Sequence, residues 1–175
     1  MSILTLEEQK KITANKAIYD DLDPAFAEAF VRHVMNLIND VYFRIKYVGF
    51  EQPILRNNPN APVILASNHS GRSVPWDAVA FMSGLLRHFN YDSSKVCRTL
   101  IVPALASVGP MSPYFIANFW KKCGGVDATF HNFETMMHHP DANIMLYPEG
   151  VPGIGKGWNH RYELQRFSTS FIKMS

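Results

Sequence analysis

The sequence predicts an α/β fold: a mostly parallel central sheet flanked by helices, behind an N-terminal helical segment. Three observations predict it. A short, continuous apolar run occurs at 63–67, the pattern of a strand covered on both faces, and further strands are expected at 98–102 and 143–147. Helix-prone stretches near 76–89, 105–120 and 130–139 alternate with them, as in a parallel sheet built from strand–helix–strand units. The segments richest in reactive side chains, Asn68 to Asp77 and Pro148 to Lys156, directly follow two of the strands. That is where parallel sheets bind their ligands.

The elements follow in order. Residues 6–20 are polar and helix-prone. Asp23-Pro24 is a helix start, with Asp as cap and Pro in the first turn. Phe26, Phe30, Val34, Leu37, Ile38 and Val41 then recur at helical spacing, which predicts a helix to about Asp40. From Tyr42 to Phe50 the period changes: Phe43, Ile45 and Tyr47 alternate with Arg44 and Lys46, the pattern of a half-buried strand. The division is therefore an N-terminal helical segment, 1–41, and an α/β domain, 42–175. A last strand is expected over 170–174.

A chain of 175 residues fits one domain with a sizeable core. Hydrophobic residues at 47% against 18% charged exclude a disordered chain, and a net charge of +2 argues against a nucleic-acid binder. Two cysteines, Cys97 and Cys123, are too few for a disulfide framework and point to a reducing compartment. Glu7, Glu8, Lys10 and Lys11 precede any apolar run of signal-peptide length, so no secretory leader is expected. Thr99 to Trp120 holds no charged residue, but Pro103, Pro110 and Pro113 would break a spanning helix, so the stretch reads as buried or interfacial.

The first constellation is NHSGRSVPWD. His69 leaves a buried strand and Asp77 follows eight residues later, in the opening turn of a helix that Pro75 begins. A carboxylate is stabilised there by free N–H groups and the helix dipole. A neighbouring imidazole would be held in one tautomer and made a better base, able to deprotonate a substrate hydroxyl. The plainer alternative is a helix cap at Asp77 and a loop tie at His69. Ser70 and Ser73 lie nearby, but no G-x-S-x-G elbow accompanies them.

The second constellation is YPEGVPGIGKG. Gly150 to Lys156 matches the G-x-x-x-x-G-K part of a phosphate-binding P-loop, yet Gly157 stands where Ser or Thr would bind Mg²⁺. The competing reading is a strand-end turn, Glu149-Gly150, whose backbone N–H groups and Lys156 receive an anionic head group, with Arg161 and Arg166 close by. Glu134 and His138 share a helix face but lack a third ligand, so no metal site is expected. Trp76 and Trp158 flank the two constellations and either line an apolar pocket or simply pack.

Together these blocks resemble the glycerophospholipid acyltransferase family, best known for the lysophosphatidic acid acyltransferases. Asn68, His69 and Asp77 resemble its first block, KCGGVDATFHNFETMM a middle one, and Tyr147, Pro148, Glu149 and Gly150 its Pro-Glu-Gly block. The tail from Gly155 is similar to a subgroup with an LQRF-like run, and the likeness covers roughly 42–175. The family's commonest spacing is His-x4-Asp; here Val74 holds that place and Asp77 comes three residues later. Where the family often continues Thr-Arg-Ser, this chain has Val151, Pro152 and Gly153.

The resemblance implies transfer of a fatty acyl group from acyl-CoA or acyl-carrier protein to a glycerolipid or lysophospholipid hydroxyl. His69 would be the general base and Asp77 its orienter. Asn68, Glu149 and Gly150 would shape the acceptor site, with Lys156 and Arg161 its basic complement for phosphate. It implies no cofactor beyond the thioester co-substrate, no nucleic acid partner, and a cytoplasmic protein peripherally associated with a membrane. It also implies a sheet left unfinished at Ser175. Two alternatives stand beside it: a degenerate, lipid-binding acyltransferase fold without turnover, and a P-loop-like phosphate binder using Lys156.

Overall fold

The computed structural model describes residues 5–51, 58–70, 75–103, 116–139, 142–160, 162–169 and 171–172. Four strands form one parallel sheet: β1 Ile64–Ala66, β2 Arg98–Ile101, β3 Gly125–Asp127 and β4 Ile144–Leu146, in the order β1-β4-β2-β3. Ile64 is opposite Ile144 in the β1–β4 pair, and Thr99 is opposite both Met145 and Gly125. Inserting β4 between β1 and β2 places the ends of β1 and β4 side by side.

β1, β2 and β4 form where the apolar runs predict them. β3 is a strand that the sequence reading missed. Its first residue, Gly125, is the second of a Gly-Gly pair, a composition that reads as a turn. The strand takes glycine at 125 because a Cβ there would meet the Ile101 side chain and the Trp120 carbonyl oxygen, each at 2.8 Å. The strand expected over 170–174 does not form at its two described residues. Phe171 and Ile172 belong to a helical turn, with Ile172 N–H donating to Thr169 O at 3.1 Å; the remainder lies outside the described residues.

α1, Leu6–Ala14, starts at a reciprocal capping box between Thr5 and Glu8. α2, Pro24–Phe30, starts as expected: Asp23 accepts the Phe26 N–H at 3.0 Å and Pro24 begins the helix. It continues through two π-helical segments, Val31–Met35 and Ile38–Phe43. The face it buries carries Ala27, Val31, Met35 and Asn39, whereas Leu37 and Val41 are exposed. An α-helix carries a four-residue repeat about 40° past a full turn at each step. The wider π turns lag behind, so mixing the two keeps these positions on one side.

The half-buried strand expected from Tyr42 to Phe50 is absent. The helix runs on to Phe43 and stops at Arg44, which has left-handed backbone with φ 53°. The alternation has another cause. Tyr47 turns inward, donates to Ala80 O at 3.0 Å and accepts from Asn39 at 3.0 Å, while Asn39 also reaches Ser83 at 2.8 Å. The segment is thus tied by side chains to α3, Trp76–His88, and not by a strand ladder. Of the helix expected near 105–120, residues 105–115 lie outside the described residues; α4 covers Phe119–Lys122. α5 is Phe130–Met137 and α6 is Gly150–Ile154.

The core lies on both sides of the sheet. Val126, Phe133, Met136, Ile144 and Leu146 pack with Ile18 on one side. Leu85, Cys97 and Met145 pack on the other, beyond which Leu86 meets Ala27, Val31 and Met35. The N-terminal segment contributes to two of these clusters. Among the described residues no helix is long and apolar enough to cross a membrane.

Candidate active site

Because β1 pairs directly with β4, the two constellations meet at one end of the sheet. Beyond Ala66 the pairing extends by one bond, from Ser67 N–H to Leu146 O at 3.0 Å. His69 then turns inward, only 5% exposed. From the opposite direction α3 brings Asp77 in its first turn. Asp77 Oδ2 lies 3.0 Å from His69 Nδ1 and accepts the Ser70 N–H, also at 3.0 Å. The longer loop therefore still returns the carboxylate to the imidazole. A carboxylate on Nδ1 selects the tautomer with its proton there, leaving Nε2 as the acceptor.

Burial alone would raise the Asp77 pKa. The hydrogen bond and charge of His69, with the backbone N–H groups of Ser70 and Ala78, outweigh it and hold the carboxyl below its ordinary value. The other face of the imidazole is fixed by Tyr147, whose ring lies 4.0 Å away and 9° from parallel. Burial and the nearby Asp77 charge push the Tyr147 phenol well above its usual range, so this platform is neutral. Sequence reading placed Tyr147 in a motif but gave it no part in the site.

Glu149 and Lys156 sit beneath His69, fully buried, with Lys156 Nζ 2.9 Å from Glu149 Oε2. Glu149 Oε1 accepts the His69 N–H at 3.0 Å, and its Oε2 accepts the Gln165 N–H at 2.9 Å. Burial raises the Glu149 pKa, but Gln165, Lys156 and the His69 N–H together bring it below the usual carboxylate value. Lys156 also donates to His69 O at 2.6 Å and Glu163 O at 3.0 Å.

All three donors of Lys156 are therefore engaged, and none remains for the phosphate it was expected to meet. Gly150–Ile154 is a short helix, and the Lys156 side chain is buried. Gly150 makes the turn itself, with φ 58° and its N–H on Tyr147 O at 2.9 Å. A Cβ on Gly153 would stand 2.6 Å from Glu149 Cβ and 3.2 Å from His69 Cβ, so this glycine lets α6 close onto the site.

Asn68 is exposed and does not line the cavity beside His69. Arg161, also expected in the site, and Ser73 lie outside the described residues. Trp76 and Trp158 are partly exposed, at 40% and 58%; Trp76 packs on Phe43, with ring centroids 5.6 Å apart. Burial pushes both cysteine thiols up to about 12, against nucleophilic use. No group of three His, Cys, Asp or Glu side chains suited to a metal ion occurs among the described residues.

His69 faces a cavity of about 280 Å³ beyond the ends of β2, β3 and β4. Its walls include Leu100, Ile101, Phe133, Leu146, Ile154 and Phe171, so it is largely apolar. A smaller chamber of about 100 Å³ lies behind it under the N-terminal helix. Pro75, Ala78, Thr99 and Ile101 border both. The arrangement joins an oriented imidazole to a largely apolar recess at the usual ligand end of a parallel sheet.

No protein-family model matches the chain, and no solved structure matches it. The chain is similar to an uncharacterized protein of Mycobacterium leprae (strain TN), with 26% identity over 153 residues and 86% of this chain covered. It spans 38% of the length of that relative.

Proposed function

We propose that this protein transfers a fatty acyl group from a thioester, acyl-CoA or acyl-carrier protein, to a hydroxyl of a glycerolipid or lysophospholipid. The observation that carries the reading is the 3.0 Å His69–Asp77 bond at the mouth of an apolar cavity. His69 Nε2 takes the proton of the acceptor hydroxyl as its oxygen attacks the thioester carbonyl. Asp77 stabilises the imidazolium that results. The tetrahedral intermediate collapses, the carbon–sulfur bond breaks, and the imidazolium returns the proton to the departing thiolate. The products are an ester and a free thiol, with no protein-bound acyl intermediate.

The ordered blocks that resemble glycerophospholipid acyltransferases support the same reading, as does the α/β architecture. Peripheral contact with a lipid surface belongs to it, since both substrates carry apolar chains. Tyr42, at 79% exposed, with Phe43 and Trp76 forms an aromatic surface next to Asp77 that suits such contact.

The test is incubation of the full chain with a long-chain acyl thioester and a panel of glycerolipid alcohols on vesicles. Free thiol and acylated product are followed together. Equal amounts of both, dependent on acceptor, are expected. Saturable lipid binding without thiol release would instead establish the degenerate, non-catalytic alternative.

A further inference from the structure

We infer that Glu149 and Lys156 are positioning residues, which grip both polar groups of the His69 main chain and so set where its imidazole stands. The inference deepens the proposed function, since it takes His69 as the base. It rests on geometry. The two side chains are 0% and 2% exposed, and buried charges persist only when paired and hydrogen-bonded. Apart from each other, their partners here are all main-chain groups: His69 N–H and O, Gln165 N–H and Glu163 O.

Three segments are joined at this point: the loop after β1, the turn after β4, and the tail beyond α6. Ser168 N–H on Pro148 O, at 2.8 Å, fastens the tail a second time. An ion pair with no solvent-facing donor cannot recruit an anion, but it can resist rotation of the loop that carries the base. The direction of the imidazole is then over-determined: Asp77 holds its edge, Tyr147 its face, and the pair its main chain.

The experiment uses the uniformly ¹⁵N-labelled full chain, as wild type and as Lys156→Met, Glu149→Gln and Lys156→Arg. In wild type, slow exchange of the His69 amide and a downfield proton signal from its Nδ1–H are expected. Lys156→Met and Glu149→Gln should lose both while β4 amides stay protected, and Lys156→Arg should restore them in part. With an uncharged alcohol as acceptor, kcat should fall about a hundredfold, as ångström-scale misplacement does, with KM little changed.

Unaltered His69 signals, together with a rise in KM confined to phosphorylated acceptors, would overturn the inference in favour of anion binding. Should the charge-removing variants fail to fold, the wild-type His69 amide decides: rapid exchange overturns the inference and slow exchange supports it. If wild type transfers no acyl group, the proposed function fails, while the histidine signals still test the positioning role.

Discussion

The His69 imidazole lies flat against the Tyr147 ring, with centroids 4.0 Å apart and planes 9° from parallel. Asp77 restrains only one edge of the imidazole; the Tyr147 face stops it from tilting about that bond. Tyr147→Phe should therefore keep most activity, whereas Tyr147→Ala should lower kcat about tenfold or more through misorientation. Steady-state rates of both variants check this, and equal rates would show that the platform is idle.

Asp77 holds the Nδ1 proton and balances the imidazolium. Asp77→Asn keeps the shape but removes the charge and invites the wrong tautomer. A loss of about 10²–10⁴ in kcat is expected, the usual span of general-base assistance. Thiol-release kinetics measure it, with the circular dichroism spectrum unchanged.

Gly153 is where α6 closes on the site. A methyl group 2.6 Å from Glu149 Cβ forces the backbone apart. Gly153→Ala should cost about 1–3 kcal/mol by overpacking, despite the better helix propensity of alanine. Denaturant unfolding gives the value, and a more stable variant would contradict the packing described.

The pH dependence follows from Asp77 and Glu149, both held below their ordinary values in the folded chain. Their unfolded values are about 3.9 and 4.3. A depressed folded pKa contributes stability that is complete above the unfolded value and is lost as pH falls through the folded one. The stability that wild type gains over Asp77→Asn from the ionised carboxylate should thus be complete at about pH 5 and shrink below about pH 4. Urea midpoints across that range read it directly.

Much of the sheet was legible because parallel strands leave apolar runs, as VILAS and NIMLY do, although only the central β4 is fully buried and β1, at the sheet edge, is half-buried with Ala66 exposed. The His69–Asp77 pair was legible because Pro75 announced the helix start. Three things were hidden. The strand Gly125–Asp127 has a glycine signature that reads as a turn. The alternation at Phe43, Ile45 and Tyr47 matched a strand, although its cause was one tyrosine entering a polar cluster with Asn39 and Ser83. The direction of Lys156 depends on contacts with His69, 87 residues away, which no local pattern encodes. A lysine beside glycines looks the same whether it meets a phosphate or turns inward to a carbonyl.

The central claim is that one oriented imidazole activates an alcohol against a thioester. Its most direct test is the rate of thioester-dependent acylation by His69→Ala, with folding verified by an unchanged unfolding midpoint. The expected result is a loss of about 10²–10⁴ or complete inactivity. Acylation at the wild-type rate in that variant would contradict the account.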